Sequence, residues 1–346
     1  MAAVDDILMG YASKLASDGE LPWDRLRGSK IVVTGSTGLI GSAFVRAVIR
    51  ANDTLDCGIK LMLPVRSLAK ASSMFGVRDY IVLFPWQLGD VLPEFDGVDF
   101  FIHAACGTSS RGFFEQPAST IMQIITGGER TLASAKKEGA LKYIFLSTME
   151  VYGEVEGVVS EGSFGCLDPM IVRNSYPEAK RLVECMCASY WHEFDVPTVV
   201  LRLAQTFGQG VDYNDTRVFA EFGRSAVKGE DIVLLSDGKK KNPYLSVDDA
   251  VRAILFALVY GNSGQAYNAA NEDTYCSVLD MASMVIQEFG VQGARVRREF
   301  DQMRAATFRK ASNLELSSEK LRALGWIPHD SLKDAYSAMI ACWKDR

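Results

Sequence analysis

Tyr176 and Lys180 stand four residues apart in Ser175-Tyr176-Pro177-Glu178-Ala179-Lys180, at the start of a segment with helical periodicity, and so share one face of it. A phenol, with an ordinary pKa of about 10, is a weak base at neutral pH. An ammonium group beside it favours the phenolate, and a second cation such as an oxidised nicotinamide ring favours it further. The pair can then take a proton from a hydroxyl group. Tyr-x-x-x-Lys occurs by chance in many helices, so its meaning comes from order along the chain. It follows a strand that ends in Ser147-Thr148 and, much earlier, a glycine turn. Thr148 and Glu150, at the end of that strand, add a hydroxyl and a carboxylate to the same set.

The glycine turn is Thr34-Gly35-Ser36-Thr37-Gly38-Leu39-Ile40-Gly41, between the β-branched run Lys30-Ile31-Val32-Val33 and a helical segment from Ser42 to Ile49. Glycine permits positive φ and close approach of a ligand to the backbone, while the helix start offers unpaired N–H groups and a positive dipole end. A pyrophosphate fits such a turn. The glycines fall at i, i+3 and i+6, unlike the G-x-G-x-x-G fingerprint, so the strand-turn-helix context carries the dinucleotide reading. A turn tightened for packing alone is the other reading. Gly35, Thr37, Gly38, Leu39, Ile40 and Gly41 are the candidate cofactor contacts.

The positioning elements follow from periodicity. Ile59–Val65 reads as a second strand ending at Arg66-Ser67, where the adenosine ribose of a dinucleotide is read. An arginine there accommodates a 2′-phosphate and an acid bonds a free 2′-hydroxyl, so Arg66 leans the choice toward NADP, with Asp53 and Asp56 as the acidic alternatives for NAD. Tyr80–Phe84 is a third strand, followed by Gly89-Asp90-Val91. Val98–Ala105 is a fourth, closing on His103-Ala104-Ala105, which are small enough at the end for a flat ring to approach. A helix over residues 117–138 and a fifth strand, Leu141–Leu146, come next. Strands alternating with helices predict an α/β fold, a Rossmann-type doubly wound parallel sheet. Residues 35–41, 66, 103–107 and 147–150 then share the rim beyond the carboxyl ends of the strands, where such sheets bind ligands.

The second half alternates less regularly: a helix at 176–194, the strand Pro197–Leu203, and helices near 216–228, 248–260, 276–289 and 330–343. The expected organisation is a helical extension over 1–28, a dinucleotide-binding domain over 29–203 that includes the catalytic helix 175–194, and a smaller C-terminal α/β substrate lobe over 204–346. Some segments of the last part are expected to return to the first domain. The extension has helical spacing over residues 3–17.

With 346 residues and 48% hydrophobic content, the chain can bury one large or two modest cores. A net charge of −6 argues against nucleic acid and anionic membrane as partners. No apolar run approaches the roughly 18 residues that a membrane span needs, and the N-terminus has no basic region of a secretory signal. Seven scattered cysteines fit a reducing compartment, and three distant histidines assemble no metal site from local spacing. A cytoplasmic protein without a metal is the expectation.

The chain resembles the extended short-chain dehydrogenase/reductases, in particular the NAD-dependent epimerase/dehydratase family that modifies nucleotide sugars. The resemblance runs from residue 29 to 343. It is carried by Thr34–Gly41, His103-Ala104-Ala105, Leu146-Ser147-Thr148-Met149-Glu150-Val151-Tyr152-Gly153, Tyr176 with Lys180, Arg202-Leu203-Ala204-Gln205-Thr206-Phe207-Gly208, and Val247-Asp248-Asp249-Ala250. It implies that Tyr176 is the general base in oxidation of a sugar at C4, that Lys180 binds the nicotinamide ribose and lowers the phenol's pKa, and that Thr148 hydrogen-bonds the same sugar oxygen. It also implies that Asp90, Val91, His103, Ala104 and Ala105 line the NAD(P) site.

In the family's 4,6-dehydratases the segment after the fifth strand resembles Ser-Thr-Asp-Glu-Val-Tyr-Gly, and the acidic pair handles elimination of water. Here Met149 replaces the first acid, and a thioether cannot supply that proton. The UDP-glucuronate decarboxylases are similar in having a lone glutamate there, and their catalytic helix resembles Tyr176–Glu184. Decarboxylation or epimerisation through a 4-keto intermediate is the implied outcome, with Glu150 among the catalytic residues. Gln205 stands where the family often has asparagine, and Asn242-Pro243 where it has a phosphate-binding arginine, which shifts the expected substrate contacts to Gln205, Arg217 and Lys241. The resemblance further implies a homodimer built from the helices at 117–138 and 176–194. Val65-Arg66-Ser67 is also similar to NADPH-dependent reductases, so a reductase remains an alternative, as does a non-catalytic dinucleotide-binding protein.

Overall fold

A computed structural model of the protein describes residues 2–106, 115–299 and 313–344. β-Branched and aromatic runs become the strands of a seven-stranded parallel sheet: β1 (Lys30–Thr34), β2 (Lys60–Val65), β3 (Ile81–Pro85), β4 (Phe100–His103), β5 (Lys142–Thr148), β7 (Thr198–Leu203) and β11 (Gln265–Ala269). A short β6 (Gly157–Val159) lies outside this sheet. The strand order is β11-β7-β5-β4-β1-β2-β3. From β1 the chain winds outward to β2 and β3, then returns to start β4 on the other side of β1. That reversal between β1 and β4 is the switch point at which an open α/β sheet forms its ligand crevice.

Alternation along each strand sends side chains into two layers. Val32, Phe101, Tyr143, Phe145 and Val200 face α4 (Pro117–Glu138) and α5 (Ser175–Phe194), burying Ile124, Leu132, Ala179 and Val183. Ile31, Val33, Ile144, Leu146 and Leu201 face the opposite layer, which includes Phe44 and Val48 of α2 (Leu39–Leu55). Each large apolar side chain buried in these layers contributes about 1.5–3 kcal/mol. The observed α4 matches the helix expected from sequence. β5 extends to Thr148, so Ser147 and Thr148 end the strand itself.

Three features have no position assigned by the sequence periodicity. An eight-residue helix, α3 (Leu68–Phe75), follows β2, with the Ser67 hydroxyl accepting from the Lys70 amide as its N-cap. β11 returns from the second half of the chain to edge the main sheet. The lobe itself is built around a three-stranded sheet of β12 (Asn271–Ser277), β10 (Lys241–Ser246) and β8 (Gln205–Phe207). Around it pack α6 (Val218–Lys228), α8 (Val278–Phe289) and α10 (Leu332–Ala341), with Phe207, Phe219, Tyr244, Met281, Tyr336 and Trp343 in their core. Two further pairings add short strands: β9 (Ile232–Leu234) with β13 (Val296–Arg298), and β14 (Leu314–Leu316) with β6. Ser277 with Asp280, and Ser331 with Asp334, form capping boxes at the starts of α8 and α10. α9 (Glu319–Arg322) is a single turn.

The N-terminal extension is structural. α1 (Ala2–Ala16) lies along α2, held by Arg46–Asp5 at 3.2 Å and by Arg50 donating to the Ser13 hydroxyl at 2.8 Å. The Trp23 indole donates to the Leu15 carbonyl at 3.0 Å, and Asp18 pairs with Arg252 of α7 (Val247–Tyr260). Farther along, Val4, Ile7 and Leu8 pack against the lobe core together with Leu39 from the glycine turn. No helix among the described residues is long and apolar enough to cross a membrane.

Two acids at the start of α7 are buried beneath this junction. Asp249 accepts from the His329 and Asp330 amides at 2.8 and 3.1 Å, which ties down the chain leading to α10. Asp248 accepts from the Gln209 amide group. Burial, then the charge of Asp330, push the Asp248 carboxyl up from 3.8 to about 7. The folded chain therefore holds this proton more tightly than the unfolded chain. The resulting cost is absent below the unfolded value and grows as pH rises, until it levels off above the folded value. Asp248→Asn is expected to raise the Tm at pH 8 and to lose that gain progressively as the pH is lowered toward about 4, which thermal unfolding across the range would read. A gain that is the same at every pH would show that the carboxyl does not titrate as described.

Candidate active site

The glycine turn follows β1 directly, and its geometry leaves no room for side chains. Gly35 has φ of +73°, and a Cβ on it would lie 2.6 Å from the Ala104 carbonyl carbon and the Ala105 nitrogen. A Cβ on Gly41 would lie 2.3 Å from the Gly35 carbonyl oxygen. Gly38 is the N-cap of α2 and gives no side chain to bond the first helical amides. The amides that open α2 thus face a cradle in which backbone is the wall, at the switch point between β1 and β4. These features fit a dinucleotide pyrophosphate.

The parallel register sets the other rim residues. Thr34 pairs with His103, His103 with Phe145, and Thr148 with Leu203. Gly35, Ala104, Ala105, Thr148 and Gln205 therefore follow one another at the carboxyl ends of adjacent strands. Residue 107 of the expected rim lies outside the described residues. His103 does not present its ring to the rim. Its side chain is buried, stacks on Phe145 at 5.7 Å between centroids, and shares its Nδ1 with the Thr34 hydroxyl at 2.8 Å. Burial, then the charge of Lys180, push its pKa down to about 3, so the imidazole is neutral.

At the end of β5 the Glu150 amide donates to the Thr148 hydroxyl oxygen at 3.2 Å, and the Thr148 side chain also hydrogen-bonds the Tyr176 phenol. Lys180, one turn along α5, is buried and donates from Nζ to the Leu146 carbonyl at 2.8 Å, with Nζ 5.9 Å from the centre of the Tyr176 ring. Thr148, Tyr176, Lys180 and Glu150 are thus brought together beside the glycine turn. The phenol's resting state differs from the sequence expectation. Burial, followed by the Cys106 and Glu150 charges, raises its pKa well above 10, against lowering by the Thr148 hydrogen bond and Arg173. Desolvation outweighs the hydrogen bond and the nearby guanidinium.

Arg66 is exposed at the end of β2. Lys70, which the sequence reading passed over, reaches from α3 to within 3.5 Å of the Thr37 carbonyl oxygen. The i+4 spacing of Arg66 and Lys70 was the available signal. Asp90 folds into its own turn, accepting from the Gln87 amide at 3.0 Å, and Val91 is exposed.

The expected phosphate contacts do not gather in one place. Gln205 opens β8 and pairs with Tyr244, whereas Lys241 lies three residues before Tyr244 on β10, about 10 Å farther along the strand. Arg217 is taken up by Asp215, with Nη2–Oδ2 at 2.6 Å and Nε bonds at 3.0 and 3.1 Å. Burial pushes the Asp215 carboxyl up, but these hydrogen bonds outweigh it and hold the acid below its ordinary value.

Two further groups complete the surroundings. Arg173, in the turn before α5, binds Glu150. Glu184, one turn beyond Lys180, pairs with Arg202 at 2.6 Å and accepts from the Ser147 hydroxyl, bracing α5 against β5 and β7. Arg202 also donates to the Tyr152 hydroxyl at 3.0 Å.

Residues 31–270 match the sequence model of the NAD dependent epimerase/dehydratase family. The chain is 26% identical over 338 residues to UDP-glucuronic acid decarboxylase 2 of Arabidopsis thaliana, covering 96% of this chain and 72% of that protein. It is 28% identical over 324 residues to UDP-glucuronic acid decarboxylase 1 of Xenopus tropicalis, covering 90% and 71%. Among solved structures, a UDP-glucuronic acid 4-epimerase from Bacillus cereus, in complex with UDP-glucuronic acid and NAD, superposes with a TM-score of 0.74 at 20% identity, covering 91% of this chain and 99% of that one. A dTDP-glucose 4,6-dehydratase from Streptomyces venezuelae with NAD bound gives 0.75 at 20% identity, covering 92% and 97%. At that identity the two structures establish the shared fold.

Gly35→Ala tests the cradle. The clash with Ala104 and the positive φ cost roughly 1–3 kcal/mol unless the turn is displaced, and rebuilding the displaced turn around a ligand at that cost predicts about a fivefold or greater loss of NAD or NADP affinity by calorimetry. Unchanged affinity for both would remove the turn from the binding site.

Proposed function

The chain belongs to the NAD-dependent epimerase/dehydratase family, and from that premise we propose that it oxidises a nucleotide-linked sugar at C4 and carries the 4-keto sugar to decarboxylation or epimerisation. The observation that carries this reading is the hydrogen-bonded pair Thr148–Tyr176 beside Lys180, on the same rim as the glycine cradle. A bound nicotinamide dinucleotide supplies the hydride acceptor and later the donor. Tyr176 takes the proton of the C4 hydroxyl, and Thr148 holds that oxygen as it becomes a carbonyl. Lys180 holds the nicotinamide ribose and adds positive charge near the phenolate. When the sugar carries a C6 carboxylate, the C4 ketone lies β to it. Carbon dioxide then leaves with its bonding electrons passing to C5 and the carbonyl oxygen, C5 takes up a proton, and Tyr176 returns its proton to O4 as C4 is reduced. Met149 beside Glu150 leaves a single acid, which argues against loss of water from C5 and C6. The decarboxylase names of the relatives support the first outcome.

Gln205 is the substrate contact that the rim favours. Arg217 contributes to a diphosphate only by giving up Asp215, and Lys241 only from the far end of β10. Arg66, at the end of the second strand, supports NADP as cofactor, and Lys70, whose Nζ reaches the glycine turn at Thr37, adds a second cation in support of that reading. This same feature favours the second reading, a reductase that releases oxidised cofactor at each turnover. We also read the protein as a homodimer through α4 and α5, which leave Met122, Leu182 and Trp191 partly or largely exposed. Light scattering that returns the mass of one chain at micromolar concentration would remove the dimer.

The test of function uses the purified chain with UDP-glucuronate, once with NAD and once with NADP, followed by NMR of the sugar and absorbance of reduced cofactor. The expected result is conversion of the sugar without net reduction of cofactor. Tyr176→Phe is expected to keep dinucleotide affinity and lower turnover by about 10²-fold or more. Undiminished turnover in that variant would overturn the assignment of the base.

A further inference from the structure

Arg173 occupies the turn Val172–Asn174, three residues before Tyr176. Its Nη2 donates to Glu150 Oε1 at 3.0 Å and lies 2.8 Å from Oε2. Glu150 belongs to a different turn, Met149–Tyr152, and its own amide is anchored on the Thr148 hydroxyl. Both side chains are only about one quarter exposed, at 24% and 25%. Two turns from separate parts of the chain thus meet as a partly buried ion pair, and they do so beside the phenol proposed as the base.

The charged and titratable groups around Tyr176 among the described residues come from four segments. Cys106 follows β4, Glu150 follows β5, Arg173 precedes α5, and Lys180 lies on α5 itself. Glu150 opposes formation of a phenolate and Arg173 favours it. A carboxylate this close to a base that must ionise is tolerable when its charge is matched on the spot.

We propose that Arg173 is a positioning residue whose guanidinium fixes the Glu150 carboxylate beside the Tyr176 phenol and cancels the charge it presents there. The inference rests on the reading of Tyr176 as the base. It assigns to the residue three before the tyrosine a part in the site that a purely structural brace would not have. A brace holds two turns together and is indifferent to the charge on the phenol.

The experiment titrates the phenol directly. The full chain is labelled with 3-fluorotyrosine, whose phenol is more acidic than tyrosine's, and followed by fluorine NMR alone and with saturating NAD. The resonance of residue 176 is identified by its loss in Tyr176→Phe. Arg173→Gln is expected to raise the midpoint of that resonance by about one pH unit or more. Glu150→Gln should lower it, and the double variant should return it to near the wild-type position. Arg173→Lys, which keeps the charge, should fall between wild type and Arg173→Gln. A midpoint unmoved in Arg173→Gln, or a double variant displaced as far as the single, would overturn the proposal. If Arg173→Gln does not fold, Glu150→Gln decides, because an unmoved midpoint there contradicts charge cancellation equally. No sugar is present, so this outcome is separate from failure of the oxidation reading, which shows as turnover surviving in Tyr176→Phe.

Discussion

The backbone contact at the switch point of the sheet governs the arrangement of everything else. Where the chain leaves β1, Gly35 presses on the backbone of Ala104 and Ala105 at the end of β4, and α2 begins so close that Gly41 sits on the Gly35 carbonyl. A methyl group at either position would force the strands or the helix apart. With glycine there, β1 and β4 stay at hydrogen-bonding distance, and the sheet register carries that constraint outward to β5. Thr148, at the end of β5, therefore stands at a fixed offset from the cradle, and α5 is braced to the same strand through Glu184 and Ser147. The spacing between the glycine turn and the Thr148–Tyr176 pair is thereby set by strand register and by the side-chain brace on α5.

Electrostatics in the site follow from how thoroughly it is buried. Lys180 is placed by the Leu146 carbonyl, Glu184 by Arg202, and Glu150 by Arg173, so each charge has a partner before any ligand arrives. Tyr176 is different. Its environment favours the protonated phenol. In the proposed reaction such a base stays idle until a cation is laid against it, which couples proton removal to the presence of an oxidised nicotinamide.

Much of this was legible in the sequence, for physical reasons that differ between elements. β1, β4 and β5 are buried on both faces and so are continuous apolar runs, and α4 begins at Pro117 and ends before Gly139 in the left-handed region, the punctuation expected of a helix. β11 escaped notice because Gln265-Ala266-Tyr267-Asn268-Ala269 looks like a loop. It is an edge strand in which the buried Asn268 side chain accepts from the Tyr152 hydroxyl and donates to the Val159 and Ser317 carbonyls. The three-residue strands of the lobe are too short to establish a period. The proposed catalytic set could be picked out because Thr148, Tyr176 and Lys180 lie in local motifs. Arg173 could not, since its partner is 23 residues earlier and only the folded chain brings the two turns together. Arg217 is the opposite case, since its partner Asp215 stands only two residues before it and the pairing was open to a local reading.

The helix that precedes the main fold has a mechanical consequence. α1 is fastened to α2 through Asp5 and Arg46, the turn after it is fastened to α7 through Asp18 and Arg252, and its Val4, Ile7 and Leu8 are pressed into the lobe next to Leu39. Leu8 and Leu39 also meet beside Gly210, where the chain enters the lobe. The helix that opens the chain is therefore part of the apolar seam between α2 and the lobe, and shortening either leucine would loosen three separate parts of the chain at once.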